Sequence, residues 1–264
     1  MLAVLVLAAA AVALAPARCG NTTTFCPNSA GCCAAQYSPT KYGCQLDGAA
    51  SSCCKPGPPD PPIHGGKNCL IIGDSVSIGY FSYSKVLVEE LSGICQVQHG
   101  PWDVSDGGAG ATSNGVACLD NWLVTQQQQP VQWDAIHFNF GLHNLDNSTA
   151  AEALYLEQLA NITTRLQATG AKLQYALTTP FMPLRTVNNT CVEDMNTMAA
   201  KLMGERDIPL VDLYSVVTAH CGGVYTDCDW CRMHPCSYHY GPEGMDAQGK
   251  AVADALKKLL LSEG

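Results

Sequence analysis

Ser75 stands where a nucleophile could be presented to a substrate. An apolar run at residues 69–72 ends in Gly73-Asp74-Ser75, and an apolar-periodic segment follows. This order predicts a buried strand, a tight turn and the start of a helix. A serine at such a turn is exposed at the C-terminal end of a sheet, beside helical N–H groups that stabilise negative charge. The pattern fits a nucleophile, and it also fits Asp74 or Ser75 acting only as a helix cap.

Two later stretches could stabilise an oxyanion. Residues 105–116 contain glycines, Gly110 among them, that let backbone N–H groups approach a ligand, although a flexible turn before a helix would look the same. After the third predicted strand, Gly141 can turn the chain, and His143 and Asn144 follow as neutral hydrogen-bond donors. The alternative is that Asn144 or Asp146 only caps the next helix.

His239 is the candidate base. It directly precedes Tyr240-Gly241-Pro242-Glu243, a pattern that opens a helix with proline near its first position. The histidine is therefore held on the loop just outside that helix. A lone histidine there is usually structural, but one that faces a strand-end serine can take its proton.

The elements around these residues alternate along the chain. Near-continuous apolar strands that alternate with helices indicate a parallel sheet covered on both faces. We therefore predict a three-layer α/β/α sandwich with a mainly parallel five-stranded sheet, and active sites in such sheets form at the C-terminal strand ends. The predicted strands are 69–72, 94–98, 135–140, 173–178 and 209–213, and the predicted helices are 77–91, 115–125, 149–168, 191–205 and 243–261.

The four blocks, in this order, resemble the SGNH (GDSL-type) hydrolase family over roughly residues 68–262. The resemblance implies an SGNH/flavodoxin-like fold, Ser75 as nucleophile and His239 as its base. It also implies an oxyanion hole built from the backbone N–H groups of Ser75 and Gly110 with a side-chain donor. Counted from Gly141, the family's asparagine position holds His143, with Asn144 one residue later, so both are candidates. Gly73, Asp74 and Gly141 would support the site.

The chain departs from the family at the acid that should orient His239. The family places an aspartate three residues before the histidine, and this chain has Cys236 there. Loss of the carboxylate in a serine triad can cost about 10⁴ in turnover. Either Asp229 or Asp227 reaches in from the preceding loop, or a backbone carbonyl orients His239, or activity is low.

Cysteine and histidine are concentrated at residues 220–239. Cys228 and Cys231 have metal-ligand spacing, so a zinc site is conceivable. In an oxidising compartment disulfides are the stronger expectation, and we predict that Cys236 pairs with Cys221, Cys228 or Cys231. Neither a metal nor a cofactor is therefore expected.

The N-terminal quarter of the chain has a different composition. Residues 1–17 are almost wholly apolar and end in Ala15-Pro16-Ala17, which predicts a signal peptide. Residues 18–55 carry seven cysteines and few aliphatics, which predicts a small disulfide-rich module resembling granulin, with a hevein-like chitin-binding knot as second choice. A proline- and glycine-rich linker at 56–67 then leads into the hydrolase-like domain at 68–264.

Composition restricts where the protein acts and on what. The chain has fifteen cysteines among 264 residues and four glycosylation sequons, at Asn21, Asn147, Asn161 and Asn188. These features predict a secreted glycoprotein, which could be associated with a cell wall. A net charge of −9 argues against nucleic acid, and no later stretch of the sequence could span a membrane.

We therefore expect a secreted serine esterase that acts on small-molecule or polysaccharide esters, O-acyl groups on glycans included. The Cys-rich module could hold it to a glycan or wall polymer. The alternative is a weakened SGNH scaffold that binds glycans or other ligands without turnover, and Cys236 is the residue that favours it.

Overall fold

The computed structural model describes two units, Met1–Cys54 and Lys55–Gly264. In the first, β1 (Ala17–Arg18) pairs antiparallel with β2 (Phe25–Cys26), and β3 (Gly31–Ala34) with β4 (Tyr42–Gln45). The predicted signal peptide and most of the Cys-rich module lie outside the described residues. These are 17–18, 25–26, 31–34, 42–45 and 54–262, the last range without 56, 80–81, 103–107, 147, 181–188 and 223–226.

The second unit is built on a parallel sheet of five strands in the order β6-β5-β7-β8-β9. All five predicted strands are confirmed. They are β5 (Asn68–Ile72), β6 (Gln96–His99), β7 (Ala135–Phe138), β8 (Lys172–Ala176) and β9 (Leu210–Val211). The helices are α1 (Ser84–Glu90), α2 (Thr112–Trp122), α3 (Thr149–Gln167), α4 (Asn189–Gly204), α5 (Leu213–Cys221) and α6 (Pro242–Leu261).

Strand β5 is buried on both faces because helices cover the sheet on each side. Every residue of this strand is buried, and successive side chains point to opposite faces. Cys69 and Ile71 pack in one apolar cluster with Leu87 of α1 and Leu256 of α6. Helices α2, α3 and α4 form the second layer, which confirms the three-layer α/β/α sandwich.

One predicted helix begins later than expected, and one helix was not predicted. The chain after Ser75 forms a turn instead of a helix, and α1 begins only at Ser84. The Asp74 carbonyl oxygen already accepts from the Ser77 and Ile78 amides, and Gly79 then adopts a φ of +109°, which a helix cannot continue through. Helix α5 was missed because its residues directly follow β9, where the apolar run read as a longer strand.

The proline-rich stretch packs against the large unit. The Pro58 carbonyl accepts from the Gln126 amide at 2.9 Å, and the Asn68 side chain bonds the backbone of Ile63 at both its N–H and its C=O. A methyl group on Gly57 would collide with the Val124 carbonyl oxygen. Residues 57–63 therefore form part of the Lys55–Gly264 unit. Within the described residues, every helix is too short or too polar to cross a membrane.

Two buried histidines predict that the protein loses stability in mild acid. Burial lowers the pKa of His99 to about 3 and that of His137 to about 4. The unfolded chain binds a proton at each near pH 6.5, so the free energy of unfolding falls as pH drops from about 6.5 toward about 4. Each histidine contributes about 1.4 kcal/mol per pH unit in that window. Urea unfolding at pH 7 and pH 5 measures the loss, and His137→Gln should reduce the slope. An equal free energy at both pH values would contradict the prediction.

Candidate active site

Ser75 lies on the turn that follows β5, at the carboxyl edge of the sheet. Asp74 is buried, and its Oδ1 accepts from the Val76 amide at 2.9 Å, which stabilises the turn. Ser77 Oγ lies 2.8 Å from the Asp74 carbonyl oxygen and 2.8 Å from His99 Nε2. The turn is therefore tied on its inner side, whereas Ser75 itself is half-buried.

His239 reaches Ser75 from the other end of the chain. Its Nε2 lies 2.9 Å from Ser75 Oγ, although the two residues are 164 positions apart. The histidine directly precedes Tyr240, and α6 begins with Gly241 as its N-cap and Pro242 at the start of its first turn. The predicted helix start is thus correct, and the structure brings the two principal candidates into hydrogen-bond contact.

The surroundings of His239 lower the pKa of its imidazole and so favour the neutral form. Burial is the main cause that lowers its pKa, and the charges of Arg232 and His143 lower it further. The negative charge of Asp74 acts in the opposite direction. A neutral imidazole whose Nε2 accepts the Ser75 hydroxyl proton is the state that a general base requires.

The glycine-rich stretch lies beside the Ser75 turn. Gly108 forms an antiparallel bridge with Asp74, and the Ala109 amide donates to the Gly73 carbonyl at 2.8 Å. Gly110 follows with a φ of +66°, a conformation that favours glycine. Lys55 Nζ donates to the Gly108 carbonyl at 2.7 Å. The sequence did not predict this contact, because no motif around Lys55 indicates it.

The structure gives His143 and Asn144 different surroundings. Asn144 Oδ1 accepts from the Thr112 amide at 3.1 Å, and its Nδ2 donates to Thr112 Oγ1 at 2.8 Å, so this side chain holds the start of α2. The N-cap of α3 is Ser148, so Asn144 does not cap that helix. His143 is exposed, and it is one of the groups that lower the pKa of His239.

Gly141 allows the loop after β7 to pass close to the end of β8. A methyl group at this position would collide with Thr178 Oγ1. Asn139, two residues before the glycine, donates from Nδ2 to the Ala176 carbonyl at 2.7 Å. The loop that carries His143 is therefore anchored on the neighbouring strand.

The structure does not bring Asp229 or Asp227 to His239. Asp229 Oδ1 lies 2.6 Å from His220 Nε2, and Asp227 Oδ1 lies 3.5 Å from His234 Nδ1. Their side chains are 74% and 95% exposed. A carboxylate in solvent cannot do the work of a buried triad acid, so the geometry opposes both residues as partners of His239.

Disulfides occupy the cysteine cluster. Cys236 pairs with Cys231, which confirms that Cys236 is disulfide-bonded to one of the three expected partners. Cys221 pairs with Cys228. Among the described residues His220, Cys228 and Asp229 could face a common metal ion, but the Cys228 sulfur is already bonded. The donor set therefore does not fit the zinc alternative.

Fold and site together define a class of protein. A serine–histidine pair at the carboxyl edge of a five-stranded parallel sheet, beside a glycine loop, is typical of serine hydrolases. Residues 71–247 match the model of the GDSL-like Lipase/Acylhydrolase family, and the chain belongs to that family. At the family level, this makes it a hydrolase of ester bonds.

Solved structures share the fold at low sequence identity. The lipase/acylhydrolase from Enterococcus faecalis aligns with a TM-score of 0.55 at 17% identity, over 72% of this chain and 95% of that one. The acetyl xylan esterase AlAXEase aligns with a TM-score of 0.56 at 12% identity, over 72% and 99%. Est24, a carbohydrate acetylesterase from Sinorhizobium meliloti, aligns with a TM-score of 0.50 at 12% identity, over 73% of this chain and 99% of that one. No match was found among the curated proteins.

Proposed function

We propose that the protein is a secreted serine esterase in which Ser75 is the nucleophile and His239 the general base. The observation that carries the proposal is the 2.9 Å contact between Ser75 Oγ and His239 Nε2 at the carboxyl edge of the sheet. Membership in an acylhydrolase family supports the same reaction class. The rival, a binding protein without turnover, gains less support because the serine and its base are already in contact.

The reaction proceeds through an acyl-enzyme. Ser75 Oγ attacks the ester carbonyl carbon while His239 Nε2 takes the hydroxyl proton. The tetrahedral oxyanion collapses, and His239 gives the proton to the departing alkoxide, which leaves as the alcohol. Water then attacks the acyl carbonyl after losing a proton to His239. The acid is released, and the proton returns to Ser75.

His143 is the side chain that we assign to the oxyanion. The backbone N–H groups of Ser75 and Gly110 would supply the other two donors. Asn144 is less suited, because both ends of its amide already bond Thr112.

Paired alanine variants separate these two roles. His143→Ala should lower kcat by about 10²-fold with KM nearly unchanged, the cost of one oxyanion donor. Asn144→Ala should lower the melting temperature by loosening the start of α2, and should affect kcat less. Steady-state kinetics and thermal unfolding of both variants test the assignment. The reverse pattern, with kcat lost mainly in Asn144→Ala, would transfer the role to Asn144.

We further propose esters on glycans as the substrate class. Two proteins with the same fold carry xylan or carbohydrate acetylesterase in their names. Acetate release from acetylated xylan, compared with turnover of p-nitrophenyl acetate by the full chain, tests both levels of the proposal. Turnover of the aryl ester alone would retain the esterase and reject the glycan. No turnover of either, with a folded protein that binds xylan, would favour the binding-protein alternative.

A further inference from the structure

A stapled hairpin holds His239 at the active site. The Gly241 amide donates to the Trp230 carbonyl at 2.8 Å, and the Arg232 amide donates to the His239 carbonyl at 3.1 Å. Cys231 and Tyr240 form an antiparallel bridge between these two bonds. The backbone of His239 is therefore bonded directly to Arg232, the residue that follows the bridged Cys231.

The Cys231–Cys236 disulfide closes the loop of this hairpin. Cys236 is fully buried and lies three residues before His239, and Cys231 is 7% exposed. The bond joins the bridged residue Cys231 to the chain that leads into His239.

Further contacts hold the far side of the hairpin. Tyr240 is buried, and its hydroxyl donates to the Pro180 carbonyl at 3.2 Å, beyond the end of β8. The ring of Tyr238 lies edge-on to the His239 ring, with 4.5 Å between centroids. Both neighbours of His239 are thus fixed, and the disulfide fixes the segment that leads to them.

We propose that the Cys231–Cys236 disulfide positions His239 for proton transfer, at the place where the resemblance to SGNH hydrolases predicts an aspartate. The inference rests on the proposed function of Ser75 and His239. An aspartate would orient the imidazole by a hydrogen bond to the ring. The disulfide orients it through the backbone, by fixing the segment at Cys231 and Arg232 to which the His239 backbone is bonded.

A neighbouring disulfide provides a matched control. Cys221–Cys228 closes a loop of seven residues in sequence separation, against five for Cys231–Cys236, so both constrain the unfolded chain to a similar extent. Cys221 ends α5, and Cys228 precedes the bridged hairpin and packs against Cys231 and Cys236. An effect that is specific to Cys231–Cys236 therefore cannot be attributed to unfolded-state entropy.

The first test compares two double variants. Cys231→Ser/Cys236→Ser should lower kcat for p-nitrophenyl acetate by about 10- to 100-fold with KM nearly unchanged, since a small misplacement of a reacting group has that cost. Cys221→Ser/Cys228→Ser should change kcat by less than about threefold, because this bond does not close the loop that leads to His239. Equal losses in both variants, or none in the first, would overturn the proposal.

The second test restores the family's carboxylate. In Cys231→Ala/Cys236→Asp the new aspartate lies three residues before His239, so kcat should recover toward the wild-type value. A disulfide with a purely structural role would not be replaced by a carboxylate. A folded variant with kcat no higher than Cys231→Ser/Cys236→Ser would therefore count against positioning.

A third measurement does not depend on turnover. An NMR titration of His239 should give a pKa below its ordinary value in the wild type and a higher one in Cys231→Ser/Cys236→Ser, because the ring becomes more hydrated. The groups whose charges act on the ring, Asp74, Arg232 and His143, are the same in both proteins. Unchanged titration would overturn the positioning role. A wild type without esterase activity but with the predicted titration would instead reject the proposed function alone.

Discussion

Ser75→Ala is expected to lower kcat for p-nitrophenyl acetate by about 10⁴-fold or more, the loss that follows removal of a serine nucleophile. Without Oγ no acyl-enzyme can form, and any residual rate comes from binding and the oxyanion donors alone. The fold should be retained, because Ser75 is half-buried and the turn is held by Asp74 and Ser77 instead. Stopped-assay kinetics with circular dichroism measure both effects.

Ser77→Ala is the control for this substitution. Ser77 is also a serine in contact with a histidine, His99, but it is 2% exposed and cannot meet a substrate. Its loss should weaken the turn and leave kcat at least about 10²-fold above that of Ser75→Ala. If Ser75→Ala retained wild-type activity, or if Ser77→Ala were the inactive variant, Ser75 could not be the nucleophile.

His239→Gln is expected to lower kcat by about 10³-fold or more, because glutamine cannot take the Ser75 proton. The wild type should also show one ionisation in kcat/KM, with activity rising as His239 loses its proton. The ordinary pKa of a histidine is about 6.5, and burial lowers the pKa of His239. The wild-type enzyme should therefore remain active below pH 6.5. That ionisation should be absent from the residual activity of His239→Gln.

His220→Gln controls for loss of a histidine in the same region. His220 bonds Asp229 and stacks on Trp230, with 4.0 Å between ring centroids. Its kinetics and pH profile should match the wild type within about twofold. A wild-type profile whose midpoint lies well above 6.5, or a His239→Gln variant that keeps the ionisation, would exclude His239 as the base.

The sheet and the serine–histidine pair could be predicted because their signals are local. Strand β5 is a short apolar run ended by Gly73, and Pro242 marks the start of α6. In a parallel sheet the strand ends meet at one edge, so Ser75 and His239 could be expected to meet there before their contact was known.

Features that depend on tertiary contacts could not be predicted in the same way. An apolar periodicity after Ser75 suggested a helix, but the Asp74 carbonyl bonds Ser77 and Ile78 in a turn. The sequence also allowed Asn144 as an oxyanion donor, but its side-chain amide bonds Thr112, which lies 32 residues earlier in the chain. Asp227 and Asp229 were near His239 in sequence, but exposed histidine partners hold them.

The sequence predicted that Cys236 forms a disulfide, but it could not identify the partner. The compartment suggested by fifteen cysteines favoured a disulfide over zinc, and the pairing of Cys236 with Cys231 agrees. The sequence left three partners possible, because spacing alone does not specify connectivity. The paired hairpin that carries His239 became visible only with the backbone bonds of Arg232 and Gly241.

Covalent labelling with a fluorophosphonate probe, followed by peptide mass spectrometry, tests whether Ser75 is a nucleophile activated by His239. A single adduct is expected on the peptide that contains Ser75, with labelling strongly slowed in His239→Gln and unaffected in His220→Gln. Ester turnover by a wild-type protein that carries no adduct, or carries it on a serine other than Ser75, would contradict the assignment.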